Sequence, residues 1–152
     1  MSQMTDELVV RKSIVVACPV EHAFRVFTER MGDWWPFEHY SIYDGDATLV
    51  WEGRVGGRVL ERSPGGEEGD WGTILAWEPP RSFAMTWHPG RDKETAQEIE
   101  VRFAAEGAGT RVEIVHTGWE RGEADVREQM ANYDRGWAAV LERFADVAGK
   151  AS

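Results

Sequence analysis

Histidine and cysteine are the side chains that titrate, attack or ligate near neutral pH, and this sequence holds four of the first and one of the second. His22, His39, His88 and His116 show no ligand spacing and Cys18 stands alone before Pro19, so no metal site is expected. Cys18 also has no adjacent base to activate it as a nucleophile. His116 differs from the other histidines. It falls in register with Val112 and Ile114 in "TRVEIVHTGW", which puts an imidazole on the apolar face of a strand, with Arg111, Glu113 and Thr117 opposite. It suits a neutral core group bonded to Tyr133 or to backbone, a hydrogen-bonding contact for a ligand, or a general acid/base whose pKa is tuned toward neutrality.

The second concentration of chemistry is aromatic. Residues 31–44, "MGDWWPFEHYSIYD", hold Trp34, Trp35, Phe37, Tyr40 and Tyr43 at neither helical nor strand spacing, so they read as an irregular connection. A connection carrying such rings must pack them against the core or present them to a ligand. With Trp51, Trp71, Trp87, Tyr133 and Trp137 added, the aromatic supply exceeds what a tightly packed core of this size needs, which favours a pocket. Trp34, Trp35, Phe37, Trp51, Trp71, Trp87, Tyr133 and Trp137 are therefore candidate ligand-binding residues, with His116 as the polar contact. A core that uses these rings only as filling is the competing reading. No Gly-x-Ser-x-Gly elbow, P-loop or dinucleotide fingerprint occurs, so no cofactor is expected and catalytic residues stay unassigned. The glutamates and aspartate of "SPGGEEGD" would repel phosphate, leaving that segment a solvated loop.

These residues need elements to position them. Leu8 to Ala17 suits a strand; Pro19 then opens a short amphipathic helix carrying Val20, Ala23, Phe24, Phe27 and Met31 up to Gly32. "ATLVWEGRVGGRVLER" reads as two strands about a glycine turn. Alternation in "DWGTILAW", at Phe83, Met85 and Trp87, in "EIEVRF" and in "TRVEIVHTGW" continues the meander. From about Glu123 to Val147, Val126, Met130, Tyr133, Trp137, Leu141 and Phe144 recur at helical spacing, and Gly149 supplies a stop. Strand, helix, about six strands and a long helix make an α+β domain with the helices apart from an antiparallel sheet.

At 152 residues a single domain is expected over 1–152. A formal net charge of -10 opposes nucleic acid and anionic membrane surfaces as partners. Cys18 alone forms no intrachain disulfide, the acidic start "MSQMTDELVV" is unlike a signal peptide, and no apolar run reaches the length of a membrane span, so cytoplasmic residence is expected. The acids of "WERGEADVRE" suit a helix start, and an acidic face could also meet a basic protein.

Taken in order, "WWPFEHYSI", "RVGGRV", "WGTILAWEPPRSFAMTW", "GTRVEIVHTGW" and Gly136-Trp137 resemble the C-terminal domain of the activator of Hsp90 ATPase, over a core of roughly residues 8–148. The resemblance implies the helix-grip fold of the START and birch-pollen-allergen (SRPBCC) superfamily: a curved antiparallel sheet of about six to seven strands wrapped on the C-terminal helix, with a cavity between. That superfamily includes lipid and hormone carriers, polyketide aromatase/cyclases and the Hsp90 co-chaperone, so fold leaves function open. The leading expectation is a small hydrophobic or aromatic ligand in the cavity. The alternatives are a cyclase- or hydrolase-type enzyme using His116 or a cavity carboxylate, and a module that regulates a chaperone.

Overall fold

The computed structural model describes residues 9–35, 48–88, 96–119 and 126–150. Strand β1 (Val10–Val16) leads into α1 (Val20–Thr28) and a 3-10 turn at Met31–Asp33. The meander follows as β2 (Thr48–Trp51), β3 (Arg58–Arg62), β4 (Glu68–Glu78), β5 (Ser82–Trp87), β6 (Gln97–Glu106) and β7 (Gly109–Thr117), and α2 (Val126–Lys150) closes the chain's described part. All strands pair antiparallel in one sheet of order β1-β7-β6-β5-β4-β3-β2, curled into a half-barrel, so β1 leaves its sequence neighbours to lie beside β7. Register shifts at Val59/Leu60 and Ile74/Ala76 mark the irregularities that help a sheet bend.

The period-2 alternation becomes the two faces of the sheet. Phe83, Met85 and Trp87 on β5, Ile99, Val101 and Phe103 on β6, and Val112, Ile114 and His116 on β7 are buried, while Glu98, Glu100 and Arg102 between them are less so. The concave face receives α2 through Trp137, Leu141, Phe144 and Ala148, whose spacing of four, three and four residues keeps them on one stripe. Burying the fully enclosed Phe144 contributes about 1.5–3 kcal/mol. Helix α1 fills one end of the core: Phe24 and Phe27 meet Phe83, Phe103 and Phe144 at ring separations of 5.1–6.2 Å.

Several local expectations are corrected. Helix α2 runs through Gly149 to Lys150, because a glycine inside a helix costs only about 1 kcal/mol and the buried Phe144 and Ala148 hold the preceding turns. β4 begins at Glu68, taking Glu68, Gly69 and Asp70 from the expected loop; Arg62 and Arg58 reach Glu68 and Asp70 across the strand pair at 2.9 and 3.4 Å. Pro19 caps α1 in an extended conformation (φ -65°, ψ 159°) instead of occupying its first turn. The expected start of α2 near Glu123, Phe37, His39 and the side chain of Val126 lie outside the described residues.

Candidate functional site

The end of the core away from the phenylalanines is built differently. Four adjacent strands place Trp71 (β4), Trp87 (β5), Gln97 (β6) and His116 (β7) on the concave face, each at most 2% exposed. Trp87 pairs directly with Gln97 and Ile99 with His116, so Gln97 and His116 lie on a diagonal across β6 and β7. Helix α2 lowers Tyr133 and Trp137 onto them, with Tyr133 edge-on to the imidazole at 4.8 Å.

The hydrogen bonds here fix protons. The Trp137 indole N–H donates to His116 Nδ1 at 3.0 Å. An indole has no other role than donor, so Nδ1 carries the lone pair and the imidazole proton sits on Nε2. Nε2–H then donates to Gln97 Oε1 at 2.8 Å. Trp119, following the left-handed Gly118 (φ 85°), donates to the His116 carbonyl at 2.9 Å and lies over the ring at 4.2 Å. Both ring nitrogens of His116 are thus engaged, Nδ1 accepting from Trp137 and Nε2–H donating to Gln97.

Polar atoms remain. With Oε1 turned to His116, the Gln97 Nε2 donor is buried with no hydrogen-bond partner. On α2, Gln129 Oε1 is likewise buried without a partner, one helical turn before Tyr133. Glu61, fully buried on the face it shares with Val59, accepts from the Trp71 indole at 2.9 Å. A buried unpaired amide costs about 1–3 kcal/mol unless a ligand or water meets it.

The nominated residues divide. Trp35 joins the site, 4.8 Å from Trp71, 6.2 Å from Trp87 and 6.3 Å from Trp137, while Trp71 and Trp87 sit 5.4 Å apart. Tyr133 belongs to it as well, its hydroxyl accepting from the Trp87 indole at 3.2 Å. Trp34 turns the other way: its N–H bonds the Val26 carbonyl and its ring packs on Phe27 and Phe144 at 5.0 and 5.3 Å. Trp51 packs on Phe83 at 5.2 Å and Trp77 at 6.4 Å, with no ring contact to Trp35, Trp71, Trp87 or Trp137 among the described residues. Burial pushes the Cys18 thiol up from its ordinary value, which disfavours thiolate chemistry there. Among the described residues no cluster of His, Cys, Asp or Glu could hold a metal ion, and no helix is long and apolar enough to cross a membrane.

Sequence reasoning passed over Gln97, Glu61 and Trp119. A signal existed for the first: Gln97 has the same parity as Ile99, Val101 and Phe103, so extending the β6 alternation by one step places it on the apolar face. Glu61 shares parity with Val59 in the same way.

A curled antiparallel sheet gripping a long C-terminal helix, with α1 after the first strand, defines a helix-grip domain of the SRPBCC type. Over residues 17–149 the chain matches the family described as Activator of Hsp90 ATPase homolog 1-like protein, and it belongs to that family. Two solved structures share the fold at low identity. Protein MLL2253 from Mesorhizobium loti has a TM-score of 0.71 and 17% identity, covering 95% of this chain and 98% of that one. The Aha1 dimer from Colwellia psychrerythraea has a TM-score of 0.69 and 18% identity, covering 93% and 96%. A higher identity, 39%, joins the chain to the anthrahydroquino-γ-pyrone synthase Txn09, solved in complex with the compound SUM, with a TM-score of 0.62 and coverage of 91% and 96%. A comparison with curated proteins finds no match.

Proposed function

We propose that this chain binds a small planar aromatic molecule between the sheet and α2, against Trp35, Trp71, Trp87 and Trp137. The observation that carries the reading is the unpaired buried Gln97 Nε2, paired across the strands with Trp87 in a group of closely packed indoles, together with the unpaired buried Gln129 Oε1 on the helix one turn before Tyr133. Large rings give apolar contact with few rotatable bonds, and isolated polar atoms set which aromatic is accepted. Phe37, two residues beyond Trp35 in the sequence, stays a candidate ligand contact on sequence grounds alone. His116 contributes through Gln97, by orienting its amide.

The test is a panel of polycyclic aromatic ketones added to the purified protein. Saturable quenching of tryptophan fluorescence is expected, with thermal stabilisation worth about 2.7 kcal/mol at a hundred times Kd. Phe37→Ala should weaken the binding by about 1–3 kcal/mol. A panel that neither quenches nor stabilises leaves only the reading in which the rings fill a core.

A second reading, a ring-closing enzyme, is favoured by the 39% identity to a synthase of a fused pyrone. Closing a γ-pyrone on a hydroxyaryl 1,3-diketone adds the hydroxyl oxygen to the far ketone carbon, and that carbon's own oxygen then leaves as water. The attacking oxygen gives up its proton, charge gathers on the carbonyl oxygen under attack, that oxygen is protonated and departs, and the carbon between the two carbonyls loses a proton to form the ring double bond. The buried Glu61 carboxylate is the group for the first proton, and Gln97 is the donor for the carbonyl. Glu61→Gln keeps an acceptor for the Trp71 indole and removes the base, so it should abolish cyclisation of a hydroxyaryl diketone while the substrate still binds. Unchanged turnover in that variant would remove Glu61 from the reaction.

A further inference from the structure

We propose that Gln97 is the specificity-determining donor of this site and that it selects aromatic ligands bearing a carbonyl or phenolate oxygen. The proposal rests on the binding reading above and adds to it the chemistry of the ligand atom. The argument is a chain of forced assignments. Trp137 N–H can only donate, so His116 Nδ1 accepts at 3.0 Å and the imidazole proton lies on Nε2. Nε2–H donates to Gln97 at 2.8 Å, so the amide oxygen faces His116 and the NH2 turns away from it. Gln97 is 1% exposed and stands opposite Trp87 across β5 and β6. Its Nε2 has no hydrogen-bond partner among the described residues. With Nε2–H donating, the amide cannot reverse without breaking the bond from His116. A buried NH2 held in one orientation accepts no hydrogen bond and gives one, which rewards an acceptor oxygen in the ligand and leaves a hydrocarbon of the same shape unrewarded.

Trp137 and His116 are positioning residues in this scheme, and they have a signature that packing alone does not produce. Removing the Trp137 N–H frees His116 to carry its proton on either nitrogen. With the proton on Nδ1, Nε2 becomes an acceptor, the amide turns its NH2 toward it, and the carboxamide oxygen is presented to the ligand instead.

The experiment compares 9-fluorenone with fluorene, planar tricyclic compounds that differ at the carbonyl, by titration against the full chain with tryptophan fluorescence and calorimetry. The wild type is expected to bind fluorenone about tenfold more tightly, the preference one recovered buried hydrogen bond supplies. Gln97→Glu retains an acceptor for His116 and loses the NH2, and Gln97→Met removes both; each should erase the preference while fluorene still binds. Trp137→Phe should lower the preference too, and nitrogen-15 NMR should report His116 as the Nε2–H tautomer in the wild type and a mixture in that variant. Equal binding of the two compounds by the wild type, or a preference untouched in Gln97→Glu, overturns the assignment to Gln97 and leaves the binding reading standing. Binding of neither compound overturns both. A wild-type His116 protonated on Nδ1 overturns the relay itself.

Discussion

At the residue scale, the question is which polar side chains are already satisfied by the protein and which are not. His116 drew notice because its type and face were visible in "TRVEIVHTGW", yet its partners were not: Gln97 lies nineteen residues earlier on another strand and Trp137 twenty-one later on a helix. Register across β6 and β7 brings the first to it, and register is set by pairing that no local pattern states. Trp137 couples packing to proton placement, so two substitutions separate its roles. Trp137→Phe keeps most of the ring and should cost about 1–3 kcal/mol from the orphaned Nδ1, whereas Trp137→Ala should cost about 3–5 kcal/mol in chemical unfolding. A loss below about 1 kcal/mol for the alanine variant would place the ring outside the core. Cys18 offers a simpler check. It is 2% exposed, its carbonyl accepts from Thr110 at 2.8 Å, and burial raises its thiol pKa. It should resist iodoacetamide at neutral pH in the folded protein and react on unfolding; rapid native labelling would contradict the burial.

At the element scale, strand and helix periodicity located nearly every segment, because burial on one face forces period 2 in β5, β6 and β7 and a period near 3.6 in α2. What escaped were the places where a neighbour decides. Gly72 draws no notice within the alternation of "DWGTILAW", but a Cβ there would run into the Thr86 carbonyl on β5. Its absence lets β4 approach β5 next to Trp71 and Trp87. Gly72→Ala should therefore destabilise by about 1–3 kcal/mol and disturb ligand quenching as well; a neutral effect on both would show that the strands can part there without consequence. The entry into β4 was hidden for the opposite reason, since acids and glycines look like loop until cross-strand arginines face them. Glu52 is held below its ordinary 4.5 first by the Arg58 backbone N–H, and Glu68 first by the Arg62 guanidinium. A carboxyl with a lowered folded pKa stabilises above its unfolded value and ceases to as pH falls below 4.5 toward the folded one. Both are surface groups, so the effect is small and salt-screened. Glu68→Gln should flatten the acid-side fall in stability at low salt and do little at high salt; an unaltered slope at low salt removes the pair from the account.

At the scale of the whole molecule, the same sheet and helix make two unlike ends. Phe24, Phe27, Phe83, Phe103 and Phe144 fill one mostly with rings that carry no hydrogen-bonding atom, joined by Trp34, whose N–H meets the Val26 carbonyl, and by Trp51, whose buried N–H has no partner among the described residues. Trp71, Trp87, Gln97, His116, Tyr133 and Trp137 fill the other with rings and groups that do, and buried valences are left over there. The family likeness was legible because it rests on ordered motifs spread along the chain; which end carries the chemistry was not, because both ends read as apolar positions in sequence. Whether the molecule works inward or outward is then a question of surface. Among the described residues the exposed large hydrophobics are Val15, Val55 and Leu75. Val15 lies on β1 and Leu75 on β4, four strand positions apart in the sheet order, which at about 4.8 Å per strand separates them by roughly 19 Å. Val55 lies beside Leu75, the Gly56 N–H bonding the Ile74 carbonyl at 2.8 Å, so among the described residues the exposed large hydrophobics are one pair and one distant side chain, short of the contiguous apolar patch that marks a protein-docking face. The unmet valences inside the fold support the small-molecule reading proposed above. The protein added to Hsp90 is accordingly expected to leave its ATPase rate unchanged, while an aromatic ketone at saturation raises the protein's own melting temperature. A several-fold rise in Hsp90 turnover, with no ligand-dependent shift in melting, would reverse that assignment and make the outer surface the functional one.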